Sequence, residues 1–514
     1  MAQKGLHMMP RATNLLSPAG SQDLINREVV SLQSGTYTLS NQGNVDEAVV
    51  LGMREQEDKK VAKGSSHTFI LSSAKTVAVE KDEASVFGVS WTKVSSPTLT
   101  RTDASVGLVA NVGVNSGVVQ NDFDYAQIFR ELRLITGDLG NVFIRIPKFY
   151  IKKTDGVNFK TWQVSKTQYA GYYLPWCFWN FTTGQELPYF DYGKYKATKD
   201  GSNKLESKPN LCPLVLDHIV NFRTFARNNN TGGLLGYQQL DIHAYDVLRT
   251  LMLIEFATLN IQSVMQGYTA GQYSATHTAT VAENNVNRII IANAQADLYR
   301  VGQAISVGTA LGGTQIFYGR NITAIDVYDA SNKAISFDGA TVNIAIGNIV
   351  YNTGWKNGFS AGIAASSGSI VSNSSGLYPC MYRGIESPFG DIWQFIDGVN
   401  INERQAWVAK NAADYASNVF AAPYEQLGYV NHNADGYVTA MGFDPNYPFA
   451  EFPTAVGGSN YYADYYYQTT GQRIALVGGY WSDGAGAGPS YWFLGTSSSY
   501  ADVRFGARLL KKAL

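Results

Sequence analysis

The chain has 514 residues, a formal net charge of −1, only 16% charged residues, 13% aromatics, 50 glycines and 32 tyrosines. That length exceeds one ordinary hydrophobic core, so two to four domains are expected. A charged share well under the usual ~25% points to a β-rich, loop-rich protein of an extracellular or virion surface, and the lack of any long Lys/Arg run argues against nucleic-acid binding.

The first residues, MAQKGLHMMPRATNLL, have no apolar h-region, so no secretory leader is expected. Cys177, Cys212 and Cys380 are too few and too scattered for a disulfide framework. They read as free thiols of a chain folded in a reducing cytoplasm, with one bridge left open. Residues 1–80 form a separate piece, an arm or small β domain. Short β-like runs at 35–40, 67–71 and 76–80 flank a charged segment at 53–63.

From residue 81 the pattern is denser. Residues 86–91 read as a strand. Residues 141–153 and 157–166 flank Thr154-Asp155-Gly156, where Gly156 can supply a positive φ, so a hairpin is expected. Two helices follow. Residues 213–228 place Leu214, Leu216, Ile219, Val220 and Phe222 near helical spacing. Asp241 is a candidate N-cap for a helix over 242–265. That second helix is apolar on nearly all sides and belongs inside a domain. Arg249 and Glu255 interrupt its apolar run, so it is no membrane span. Residues 268–356 change texture to short apolar runs between Gly and Asn and read as an inserted all-β module. Residues 362–376, rich in Ser, Gly and Ala, read as a loop.

The last stretch, 478–510, reads GGYWSDGAGAGPSYWFLGTSSSYADVRFGARLL. Rigid aromatics among Ser, Gly and Asp, with almost no Lys or Glu, make the composition of a binding surface. Strand alternation divides it. If Trp492 and Leu494 face the core, Tyr491 and Phe493 face out. Such Tyr and Trp residues also serve as packing, so the block as a whole carries this reading. Asp464-Tyr465-Tyr466-Tyr467 is a candidate addition to the same face.

Several segments together resemble phage virion proteins with a C-terminal C-type-lectin fold, including the variable proteins of diversity-generating retroelements. They are VFGVSWTKVSSPTLTR at 86–101, FIRIPKF at 143–149, YGKYK at 192–196, GYQQLDIHAYDVLRTLMLIEFATLNIQ at 236–262, YRGIESPFGDIWQFIDGVN at 382–400 and the 478–510 block. The resemblance implies an α+β chain: a small β-rich N-terminal region at 1–80, then a C-type-lectin-like domain at 81–267 and 357–514, split by the all-β module at 268–356. It also implies an exposed binding face built from the last ~40 residues. Trp481, Trp492, Leu494, Arg504, Gly506 and Arg508 resemble the fixed scaffold. Tyr480, Ser482, Asp483, Tyr491, Phe493, Ser498, Tyr500 and Asp502 resemble the display positions.

Enzyme chemistry is not expected. GDIWQF at 390–395 is similar to a motif of formylglycine-generating enzymes. Those enzymes hold copper with a C-terminal cysteine pair, and no cysteine follows Cys380. Trp393 is therefore read as core. His243 and Asp246 share a helix face but make half a metal site at best. His218 sits beside Asp217 without further partners. Trp481-Ser482-Asp483 is similar to a lectin calcium motif, yet its companion is missing and Asp444-Pro445-Asn446 is the nearest substitute, so no metal or other cofactor is expected.

The expected function is a tail-associated receptor-binding protein of a phage virion that presents its C-terminal face to a host surface protein or glycan. The N-terminal region would join other virion proteins and support a homotrimer, with no membrane insertion. The alternative is an architectural tail, collar or head-fibre subunit whose aromatic face is covered by a sister chain.

Overall fold

The computed structural model describes residues 13–17, 20–24, 27–32, 34–40, 49–62, 65–73, 75–81, 85–94, 96–114, 119–428, 430, 435–458 and 461–514. The start of the chain at 1–12, Lys63 of the charged segment, Ser95 of the first resembling segment and residues 459–460 lie outside the described residues.

Strands hold 41% and helices 12%, so the protein is β-dominated and the α+β expectation is corrected. Both expected helices are cut short. The first, α1 (Ile219–Arg227), starts only after Leu216 has taken φ 58°, and His218 caps it by accepting from the Asn221 amide. The second, α2 (Ile242–Phe256), has the expected Asp241 N-cap, with the Ala244 amide donating to its carboxylate at 2.9 Å. It stops at Ala257 in a left-handed conformation. There Arg101 donates to the Ile254 carbonyl at 2.7 Å and the Glu255 carbonyl at 2.5 Å, satisfying acceptors the helix end leaves open. All 15 residues of α2 are buried, as an all-round apolar helix requires.

The N-terminal strands form two four-stranded antiparallel sheets, one of Thr13–Ser17, Gly20–Leu24, Gly35–Ser40 and Ser66–Leu71, the other of Arg27–Leu32, Val49–Met53, Lys59–Val61 and Lys75–Lys81. Next, Tyr150–Asp155 and Lys160–Ser165 make a hairpin that continues through Val86–Trp91 to Thr100–Asp103. Gly156 does not take a positive φ; the turn closes instead by its amide donating to the Phe159 carbonyl at 2.9 Å. Val142–Pro147 leaves that hairpin for another sheet. There the C-terminal strand Leu509–Lys512 lies between Tyr189–Gly193 and Tyr237–Gln239, so the chain's end is stitched into its middle.

Residues between 288 and 355 form a five-stranded antiparallel sheet from Arg288–Ala292 to Ile349–Trp355, with its own core of Ile289, Ile291, Ile305, Phe317, Ile335 and Val350, and Glu283–Val286 pairs separately with Val342–Ile344. The expected loop at 362–376 begins instead as helix α3 (Ser360–Ser367). Glu386 seeds it by accepting from the Gly358 and Ser360 amides at 2.8 Å each, which places an anion at the helix N-terminus.

A nine-stranded sheet dominates the C-terminal half, and both of its faces are covered. On one side Ala475, Val477, Trp492 and Leu494 join the core around α2. On the other, Ile474, Leu476 and Tyr491 join a second core with Trp393, Phe395 and Phe505 under α1. Arg508 locks this region. Its guanidinium is fully buried and donates to Gln394 Oε1 and to the carbonyls of Gly193, Lys194, Glu386 and Ser387, all at 2.8–2.9 Å.

Candidate ligand-binding face

The C-terminal block turns at Gly478 and Gly479, both with positive φ, then makes a short helical turn at Gly484–Gly486 before Trp492–Leu494. That strand runs antiparallel to Gln472–Val477 and parallel to Tyr465–Gln468. The parallel register sets Tyr467 beside Phe493, and their rings stack with centroids 5.1 Å apart and planes 13° off. Tyr467 is 36% exposed and Phe493 half-buried.

The alternation of 491–494 is partly corrected. Trp492 and Leu494 are buried as expected, and Phe493 keeps part of its surface. Tyr491, expected to point outward, is only 8% exposed. The ring of Trp393 stands edge-on at 4.4 Å and that of Tyr465 at 5.9 Å, so the second core closes over it.

The other display candidates are spread along the same side. Tyr480 is half-buried between Trp481 at 5.3 Å and Tyr273 at 6.4 Å. Ser482 is exposed. Asp483 is half-buried, accepts from the Tyr480 amide at 3.0 Å, and has its carboxyl pushed up to about 7 by burial. Ser498 accepts from Asn418 at 3.1 Å. Tyr500 is 47% exposed and leans on Phe505 at 5.8 Å. Asp502 forms a two-pronged ion pair with Arg504, at 2.8 and 2.9 Å, within one turn of chain.

Arg504 binds this arrangement together. Its guanidinium carbon lies 5.3 Å from the rings of both Tyr273 and Tyr480, within cation–π reach. Further ring contacts run from Tyr437 through Tyr465 and Tyr491 to Trp393, then through Phe493 to Phe505. The result is a rigid aromatic band whose accessible parts are Tyr467, Phe493 and Tyr500, with Ser482 and Ser498–Ser499 beside it. Tyr273 comes from the 268–356 stretch and lies outside the C-terminal block that the sequence singles out. Tyr467 was legible in the Asp464–Tyr467 run, in which Asp464 and Tyr466 are buried.

The scaffold candidates Trp481, Trp492, Leu494 and Arg508 are buried at 0–1% exposure, and Gly506 is buried too; Arg504 is half-buried. No family model matches this chain, and no curated protein matches it. The functional reading therefore rests on the residues and their geometry.

The enzyme and metal candidates find other occupations. His243 Nε2 lies 3.0 Å from the Ala409 carbonyl, and its ring packs edge-on against Trp176 at 5.1 Å. Asp246 is held by Lys153 Nζ at 2.6 and 2.7 Å, away from any shared site with His243. Among the described residues no three His, Cys, Asp or Glu side chains cluster as metal ligands. Cys177, Cys212 and Cys380 are free thiols, and burial pushes all three up. Trp393 is 3% exposed, in keeping with a packing role.

Beneath the face, Glu451 is wholly buried and gathers Arg249 at 2.6 Å, Lys153 at 3.4 Å, Lys160, and the Trp162 indole N–H at 3.1 Å. Burial opposes its ionisation, but the three cations outweigh burial and hold the carboxylate well below 4.5. Residues from 153 to 451 thus share one buried ionic knot that fixes the platform from behind.

Proposed function

We propose that this chain is a receptor-binding component of a phage tail that presents the aromatic band to a ligand on the host cell surface. The stacked Tyr467–Phe493 pair carries the reading. It is a large, rigid and partly exposed apolar surface beside adaptable serines, the kind of surface that supplies contact area at low entropy cost. The resemblance to lectin-fold virion proteins agrees with it. Tyr491 leaves the set of ligand contacts, and Tyr467 enters it. Phe493, Tyr500, Ser482 and Ser498 remain contacts. Tyr480, Asp483 and Asp502 shape the rim through their bonds to neighbours. The two N-terminal sheets would serve attachment and trimer formation, and several copies would raise weak single-site binding by avidity.

The experiment is adsorption of phage carrying Tyr467→Ala, Phe493→Ala and Tyr500→Ala together. At least a tenfold slower adsorption is expected with normal particle yield. Normal adsorption would overturn the reading. Failed assembly with a folded chain would instead mark the band as a contact between virion subunits.

A further inference from the structure

A cavity of about 460 Å³ opens where Trp179–Thr182, the Arg227 end of α1, Leu235–Gln238, Asn411–Ala413 and the C-terminal strand meet. It is built from different segments than the aromatic band. Lys512 lines it and is 4% exposed. This lysine lies two residues beyond buried Leu510 on the same strand, so it takes an inward position where alternation calls for an apolar side chain. Its ammonium donates to the Trp176 carbonyl at 2.9 Å and lies 5.7 Å from the Phe181 ring.

Among the described residues no carboxylate stands within 4.0 Å of Lys512 or of Arg227, the second cation of the lining. Asp241, the acid that acts on Lys512 from farther off, is already engaged by Gln238, Tyr415 and the Ala244 amide. Arg227 uses Nη2 on the carbonyls of Ala412 and Tyr415, at 2.7 and 3.0 Å, while Nε and Nη1 have no acceptor among the described residues. No Asp or Glu side chain lines the cavity, whose rim is completed by Leu514, and Asp397 acts on Arg227 only from farther off. A buried cation without a counter-charge is costly, and an anion of suitable size relieves it.

The rest of the lining describes what carries that anion. Trp179, Phe181 and Leu235 offer apolar surface, while Thr182, Asn180 and Asn411 offer short polar groups. Aromatic surface suits the C–H face of a sugar ring, short polar groups suit its hydroxyls, and paired cations suit a carboxylate. The volume falls in the usual range for small-ligand sites, roughly 300–1,000 Å³.

We propose that this cavity binds an acidic sugar unit, with its carboxylate between Lys512 and Arg227 and its ring against Trp179 and Phe181. The proposal stands whether or not the aromatic band meets a receptor. Isothermal titration of the full chain with glucuronic acid, glucose and sodium sulfate tests it. Glucuronic acid should bind at least tenfold more tightly than either glucose or sulfate. Lys512→Met and Arg227→Gln should each weaken it at least tenfold. Arg227 is exposed, so Arg227→Gln serves should Lys512→Met fail to fold, with circular dichroism as the check. Equal binding of glucose, absence of glucuronic acid binding, or indifference to Arg227→Gln in a folded chain would overturn the proposal. Sulfate binding as well as glucuronic acid would reduce the cavity to a simple anion site and overturn the sugar assignment.

Discussion

Tyr467 and Phe493 are register partners on neighbouring parallel strands, and their rings lie nearly flat on one another, 13° from parallel. Each ring holds the other in place, so the exposed surface is set before any ligand arrives. An aromatic pair of this kind contributes ~0.5–1.5 kcal/mol beyond its buried area. A double-mutant cycle of Tyr467→Ala and Phe493→Ala, read by denaturant unfolding, should return a coupling of that size. Additive losses would show that the pair is independent and the surface not preorganised.

Trp492, one residue away, faces the opposite core, is 1% exposed and packs on Phe452 at 4.9 Å. Trp492→Ala should destabilise by ~3–5 kcal/mol, since the cavity left behind cannot fully collapse. Phe493→Ala should cost less than Trp492→Ala in the same unfolding experiment. The contrast between adjacent residues checks which side of the strand is structural.

Arg508→Lys should also be damaging despite keeping the charge. Five acceptors converge on the guanidinium, four of them backbone carbonyls. Lysine has three donors and no planar fork, so buried acceptors go unmet at about 1–3 kcal/mol each. A clear fall in melting temperature is expected, with near-native values counting against this role.

Asp464 gives stability a pH dependence. It is fully buried, accepts from the Ser490 amide through Oδ2, and leaves Oδ1 without a hydrogen-bond partner among the described residues. Burial pushes its carboxyl up to about 8 from an ordinary 3.8. The folded state thus prefers the protonated form. The stability from that proton is complete below pH 3.8, declines as pH rises, and is gone above about 8, at on the order of 1 kcal/mol per pH unit. Melting curves at mildly acidic and mildly basic pH should show this loss in the native chain and a smaller one in Asp464→Asn. Equal slopes would remove Asp464 as the cause. The same carboxyl explains Gly488, where a Cβ would meet Asp464 Oδ1 at 1.9 Å, so Gly488→Ala should fold poorly.

Much of the local structure was readable from residue order. Asp241 before a run apolar on nearly all sides marks a capped, buried helix, and that helix forms where its cap places it. The small-residue run at 362–376 misled because its helix depends on Glu386, which arrives from beyond it in the chain. Lys512 gave no local signal at all. A lysine near a chain end reads as solvated until four other segments enclose it.

Residue order by itself determined sidedness: which of Tyr491, Trp492, Phe493 and Leu494 share a face follows from the two-residue repeat of a strand. Only the tertiary structure decided where water lies, because that repeat cannot say whether the second face meets solvent or another core. Here α1, Trp393 and Phe505 cover it, so Tyr491 is sealed. The exposed surface shifts to Tyr467 and Phe493, brought together by strand pairing across the sheet rather than by proximity in the chain, and to Tyr500, which joins them through Phe505.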